Sequence, residues 1–186
     1  MSDLLKGQLV RLSFANTDEV VQAWTKWDAD TEFKRLLDDE PPRLLSPAQL
    51  RKSIDEETRN DKDFLFAVRL LDGEAQIGFT ALWVNWSQRD AFVAIGIGER
   101  DYWGKGYGTD AMRLTLRYAF DELDLHRVTL TVWGVNERAI RSYEKAGFRR
   151  EGVQRETMQR EGRRVDTVVM GVLRDEFKIL SAESGI

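Results

Sequence analysis

Three glycines in five residues mark the segment Trp103-Gly104-Lys105-Gly106-Tyr107-Gly108-Thr109. It joins a strand-like stretch, residues 91–98, to a helix-like one, residues 109–123. Glycines at such a junction let the chain turn sharply and let a ligand approach the backbone. The helix that follows offers N–H groups without intrahelical partners and the positive end of its dipole. Together these suit a pyrophosphate, and Lys105 can add a charge. A Walker A loop needs Ser or Thr after Gly-Lys, but Gly106 follows Lys105. A dinucleotide fingerprint needs a third glycine, where this chain has Asp101 or Thr109 depending on the starting pair. Neither pattern is met, and a loop whose glycines only permit a turn stays open at this point.

A second group lies downstream, in Asn136-Glu137-Arg138-Ala139-Ile140-Arg141-Ser142-Tyr143-Glu144-Lys145-Ala146-Gly147-Phe148. Asn136 is placed to cap a helix that stops at Gly147. Tyr143 shares a side of that helix with Ile140 and Phe148, so the local pattern alone fits a core aromatic.

The elements that must position these residues are legible as patterns. Alternation predicts strands over residues 8–13, 64–71, 75–84, 91–98, 127–133, 148–154 and 165–173. Asp72-Gly73 and Glu161-Gly162 read as hairpin turns. Helices are expected from Asp18, from Ser46-Pro47 to about Asn60, over residues 109–123, and from Asn136. The order predicts a mixed α/β fold in one domain, residues 1–186, rather than a sandwich or a regular βαβ repeat.

Composition removes whole classes of chemistry. The chain has no cysteine and one histidine, His126. Disulfide frameworks, thiolate metal sites, cysteine nucleophiles and multi-histidine metal centres are excluded, and no metal is expected. With 28 basic and 32 acidic residues the net charge is −4, which argues against nucleic acid as a partner. The first residues do not read as a signal peptide, and no apolar run approaches the ~20 residues of a spanning helix. A cytoplasmic protein without membrane partners is expected.

Residues 103–109 resemble the coenzyme-A loop of the GCN5-related N-acetyltransferases (GNAT), whose usual form is Gln/Arg-x-x-Gly-x-Gly/Ala. Trp103 takes the first position, Gly106 the fourth and Gly108 the sixth, so Trp103 departs from Gln/Arg. Tyr-Trp-Gly-Lys-Gly-Tyr-Gly is typical of the branch containing the ribosomal-protein N-terminal acetyltransferases. The segment from Asn136 to Phe148 resembles the family's Asn-x-x-Ala-x-x-x-Tyr-Glu-Lys-x-Gly-Phe helix. The resemblance implies a central, mostly antiparallel twisted sheet with splayed middle strands, flanked by helices, and acetyl-CoA as co-substrate. It implies that Gly96, Ile97 and Gly98 hold the pantetheine arm and polarise the thioester through backbone groups. It assigns Trp103, Gly104, Lys105, Gly106, Tyr107, Gly108 and Thr109 to the pyrophosphate. It also implies that Asn136 holds the pantetheine arm or the acceptor and that Tyr143 protonates the leaving thiolate. Relatives are often dimers, so a homodimer is among the assemblies it implies.

The general base is unassigned. Many relatives carry a glutamate on the strand before the loop, and the aligned residue here is Val93. Asp38, Asp39 and Glu40 are candidates for drawing in a cationic amine, although a solvated loop is the simpler account of them. Acceptors consistent with the resemblance are a peptide N-terminus, a polyamine of the spermidine kind, or an aminoglycoside-like amine. A non-catalytic acyl-CoA-binding module is the alternative of another class.

Overall fold

The computed structural model describes residues 4–37, 45–57, 60–73 and 75–184. Alternation of side chains sets the strands, as in Arg127–Trp133, where Val128, Leu130 and Val132 are buried and their neighbours less so. Among the described residues the strands are β1 (Val10–Phe14), β2 (Asp63–Leu70), β3 (Gln76–Asn85), β4 (Asp90–Ile97), β5 (Arg127–Trp133), β6 (Arg149–Arg160) and β7 (Arg163–Leu173). They form one sheet in the order β1-β2-β3-β4-β5-β7-β6. Every neighbouring pair is antiparallel except β4 and β5.

That parallel pair opens the sheet. Asp90, Ala91 and Phe92 pair with Arg127, Val128 and Thr129, and no rung joins the two strands beyond them. The β4 and β5 edges then diverge, with their polar backbone groups facing the gap.

Helices cover both faces. They are α1 (Thr17–Asp28), α2 (Thr31–Leu37), α3 (Pro47–Glu57), α4 (Tyr107–Arg117), α5 (Glu137–Ala146) and α6 (Arg174–Ser184). On one face Ala91, Val93, Val128 and Leu130 pack with Met112 and Leu116 of α4 and Ile140 of α5. On the other, Trp27 and Phe33 from α1 and α2 cluster with Phe79 of β3. Asn16 caps α1 by accepting from the Asp18 N–H at 2.9 Å. Ser46 and Gln49 bond each other's backbone N–H reciprocally before α3, the arrangement of a capping box.

The expected strands and helices are present, with differences that have physical reasons. The helix expected over residues 109–123 is α4 followed by a wider π turn, Tyr118–Glu122. Two helices were not expected. α2 is a short helix that buries only Phe33 among its described residues, and α6 follows β7 without a break that the sequence signals. β6 runs to Arg160, well past residue 154, because an edge strand needs no apolar alternation on its outer side. Asp38, Asp39 and Glu40 lie outside the described residues.

Candidate active site

The divergence of β4 and β5 leaves a cavity of about 730 Å³ that passes through the sheet. Its α4/α5 side carries Gly104, Gly106, Gly108, Thr109, Ser142 and Tyr143. Its α2 side carries Phe33, Leu36 and Leu37, with Phe92 and Trp133 from the sheet. The two sequence motifs, far apart in the chain, therefore meet on one wall.

The glycine loop has the geometry of an anion cradle. Gly106 is the N-cap of α4 with φ +93°, a conformation that side chains with a Cβ rarely adopt. The Asp110 N–H already donates to the Gly106 carbonyl at 2.9 Å. The N–H groups of Tyr107, Gly108 and Thr109 precede it and have no acceptor four residues back in the helix. Gly104, Gly106, Gly108 and Thr109 line the cavity. Lys105 is exposed and Tyr107 packs edge-on against Tyr102 at 4.9 Å, and neither lines it.

Trp103 lines the cavity from the loop. Its indole Nε1 donates to the Ile97 carbonyl at 2.5 Å, and the Arg138 guanidinium lies 4.0 Å from its ring centre. The departure from Gln/Arg at this position thus places a flat aromatic between the end of β4 and the first turn of α5.

The strand places its groups differently from the expectation. Gly98 N–H donates to Ile77 at 2.9 Å, and the Glu99 N–H shares the same carbonyl at 3.3 Å. The β3–β4 register is unbroken through Ile97, so the irregularity, two residues facing Ile77, falls just past the strand's end. Alternation in an antiparallel ladder then turns the Gly96 N–H toward β3 and the Ile95 and Ile97 N–H toward the gap. Gly96 lines the cavity as a small floor, since a Cβ there would meet Phe79 at 2.7 Å and Phe33 at 3.0 Å. Gly98 does not line it, and a Cβ there would sit 2.2 Å from Trp27. Ile97 keeps its place on the gap, and Ile95 joins it, a residue that a glycine-centred reading overlooks.

At the start of α5, Asn136 is buried and caps the helix, its Oδ1 accepting from the Ala139 N–H at 3.2 Å. The cap uses the oxygen and leaves the side-chain NH₂ for a ligand, so capping and binding are compatible. Tyr143 packs edge-on against Phe148 at 6.1 Å and lines the cavity. Burial pushes its phenol up to about 12, and the Arg138 cation partly opposes this. The hydroxyl therefore keeps its proton throughout the neutral range.

Asp110 also lines the cavity, yet its carboxylate accepts the N–H groups of Leu9 at 2.7 Å and Val10 at 3.0 Å. It ties the start of β1 to the glycine loop and is occupied by that task. Asp110→Ala leaves those donors short of a partner, and a loss of about 1–3 kcal/mol of unfolding free energy is expected in denaturant titration. Among the described residues no other carboxylate lines the cavity. Val93, the position of the missing glutamate, is buried in the core. His126 is exposed, and its backbone bonds those of Arg89 and Arg174. No group of three His, Cys, Asp or Glu suited to a metal ion exists among the described residues.

Comparison with known proteins fits this geometry. Residues 10–149 match the model of the acetyltransferase (GNAT) domain family. The chain belongs to the GNAT acetyltransferases. Members of this family are acyltransferases that use acetyl-CoA. Two proteins of Bacillus subtilis are similar in sequence. The probable N-acetyltransferase YjcK is 32% identical over 120 residues, and the prophage-derived uncharacterized N-acetyltransferase YokL is 36% identical over 78 residues. These stretches cover 63% and 42% of this chain, and 66% and 44% of the two relatives. Among solved structures, the spermidine N-acetyltransferase from Vibrio cholerae in complex with CoA and spermine matches with a TM-score of 0.82 at 24% identity. The match covers 91% of this chain and 98% of that one. A GNAT-family acetyltransferase from Bacillus anthracis matches with a TM-score of 0.76 at 20% identity, covering 92% of this chain and 98% of that one. These likenesses establish the mixed α/β GNAT fold, with its mostly antiparallel sheet flanked by helices. No described helix is long and apolar enough to cross a membrane.

Proposed function

We propose that this GNAT chain transfers the acetyl group of acetyl-CoA to a primary amine, with a peptide N-terminus as the preferred acceptor. The observation that carries the reading is one cavity lined together by the glycine cradle, Ile97, Asn136 and Tyr143. The residues present fit the co-substrate. The first-turn N–H groups of α4 suit its pyrophosphate, and the β4 edge at Ile95 and Ile97 suits its amide-bearing arm. A non-catalytic binding module would need the cradle but not a protonated phenol in the same cavity.

The chemistry follows from these positions. Backbone N–H groups on the β4 edge polarise the thioester carbonyl, and each such donor lowers the barrier by about 3 kcal/mol. The amine nitrogen forms the C–N bond through a tetrahedral intermediate. The C–S bond then breaks with its electron pair going to sulfur. Tyr143 gives that sulfur its proton and regains one from water, while the amine releases its own proton to water.

Release to water fits a cavity whose one described carboxylate is already engaged. The amine must then arrive neutral. An α-amino group with a pKa near ~8 is about one-tenth neutral at pH 7, whereas an amine near ~10.4 is neutral in roughly one molecule in 2,500. This difference favours a peptide N-terminus over a polyamine. At subsaturating acceptor, the rate with a peptide should rise with pH and level off near ~8, tracking the acceptor's own ionisation. An inflection near ~5 instead would point to a carboxylate base in the protein.

A polyamine acceptor is the second reading. It is favoured by the fold's likeness to a spermidine acetyltransferase and by Asp38-Asp39-Glu40, which follow the cavity-lining Leu37 in sequence. A competition decides between them. Peptide and spermidine are supplied together with limiting acetyl-CoA, and the products are weighed by mass spectrometry. Acetylation mainly at the peptide's α-amine supports the first reading, and acetylspermidine as the main product replaces it with the second.

A further inference from the structure

Most arginines on this surface are matched by carboxylates. Arg100 forks onto Asp30 and Glu32, Arg141 pairs with Glu137 at 3.0 Å, and Arg150 pairs with Glu144 at 3.0 Å. Three cations in the cavity wall break this pattern, and one of them, Arg138, is stacked on the Trp103 ring. Arg113 of α4 and Lys145 of α5 both line the cavity, and among the described residues neither has a carboxylate within ion-pair distance. The acids that could serve them are engaged. Asp110, three residues before Arg113 on α4, is turned onto the backbone of β1, and Glu144, beside Lys145, is held by Arg150.

Arg113 is also incompletely bonded. One Nη2 hydrogen bond goes to the Lys145 carbonyl at 2.8 Å and closes the last turn of α5. Its Nε is buried with no hydrogen-bond partner. A buried charged donor without an acceptor is costly, and a ligand oxygen removes that cost. Arg113 lies one helical turn beyond Thr109, about 6 Å further along α4 than the cradle. The Thr109 and Ser142 hydroxyls share a hydrogen bond at 2.8 Å between the two helices, on the same wall.

A cradle of backbone N–H groups and, one turn away, a pair of unmatched cations form two anion sites of different character. Neutral donors in a tight loop suit a bridging pyrophosphate, whereas a guanidinium with an ammonium suits a phosphomonoester, which carries about −1.5 to −2 charges at pH 7. We infer that Arg113 and Lys145 form a second anion subsite that binds the 3′-phosphate of the coenzyme. The inference rests on the coenzyme assignment proposed above. It makes the 3′-phosphate a specificity determinant of this chain.

The test is a calorimetric titration with CoA and, separately, with 3′-dephospho-CoA, which keeps the pyrophosphate and the pantetheine arm. Wild type is expected to bind CoA at least about tenfold more tightly, as one charge-assisted contact predicts. Lys145→Gln and Arg113→Gln should each weaken CoA binding several-fold and leave dephospho-CoA binding unchanged. Lys145→Gln keeps the backbone carbonyl that Arg113 caps, so its result does not depend on the packing of α5. Equal affinity of wild type for the two ligands overturns the subsite while leaving the coenzyme assignment standing. Equal weakening of both ligands in Lys145→Gln overturns it as well, since the cation then serves the pyrophosphate. No binding of either ligand by wild type overturns the coenzyme assignment and the subsite with it.

Discussion

Tyr143→Phe should lower kcat by about 10²-fold while leaving the affinity for acetyl-CoA within about twofold of wild type. The ring remains, so its edge contact with Phe148 and its place on the α5 face are kept. Only the hydroxyl is lost, and with it the proton for the departing sulfur. Because burial holds the phenol near about 12, its titration lies well above neutral pH. The wild-type pH profile should therefore show no loss of activity from Tyr143 between pH 6 and pH 9, roughly. Steady-state kinetics with a direct binding titration separate the outcomes. A fall in kcat with unchanged affinity supports a proton donor, and unchanged turnover removes Tyr143 from that role. A rise in the acetyl-CoA dissociation constant would instead make it part of the binding wall.

Gly106→Asp should weaken acetyl-CoA by at least about 100-fold in the same titration. Two effects act together. The position has φ +93°, where a residue with a Cβ costs about 1–2 kcal/mol. A carboxylate at the mouth of the cradle also repels the phosphates that the α4 N-terminus attracts. Gly106→Asn separates them, because asparagine tolerates the left-handed region and carries no charge. Its loss should be about tenfold or less. Equal loss in both variants would assign the effect to backbone strain alone. Wild-type affinity in Gly106→Asp would place the phosphates elsewhere.

The parts of the site that the sequence revealed are those whose chemistry is local. A glycine at positive φ, an asparagine before a helix and a glycine after it each act on neighbouring backbone, so Gly106, Asn136 and Gly147 are readable from spacing alone. The parts it concealed depend on partners remote in the chain. Gly98 has the same residue type and neighbourhood as Gly96, yet its amide is spent on Ile77 and its small size accommodates Trp27, so it serves the fold and not the cavity. Only the register with β3 shows that Ile95 and Ile97 carry the groups aimed at the gap. Asp110 looks like an ordinary first-turn acid until β1, a hundred residues earlier, is seen to donate to it. The same holds for α2, whose single buried aromatic gives no periodicity. The splay of β4 and β5, which creates the cavity, came from the family resemblance; no residue pattern marks where a strand pair stops pairing.

The measurement that bears most directly on the central claim is acetyl-CoA-dependent thiol release against a panel of free-N-terminus peptides, spermidine and an aminoglycoside. The chain contains no cysteine, so the protein contributes no thiol of its own. The account predicts release that requires both acetyl-CoA and an amine, is fastest with a peptide N-terminus, and falls with Tyr143→Phe. Tight binding of acetyl-CoA with no amine-dependent release from any member of the panel would contradict it, and would make the cavity a binding site for the coenzyme without transfer.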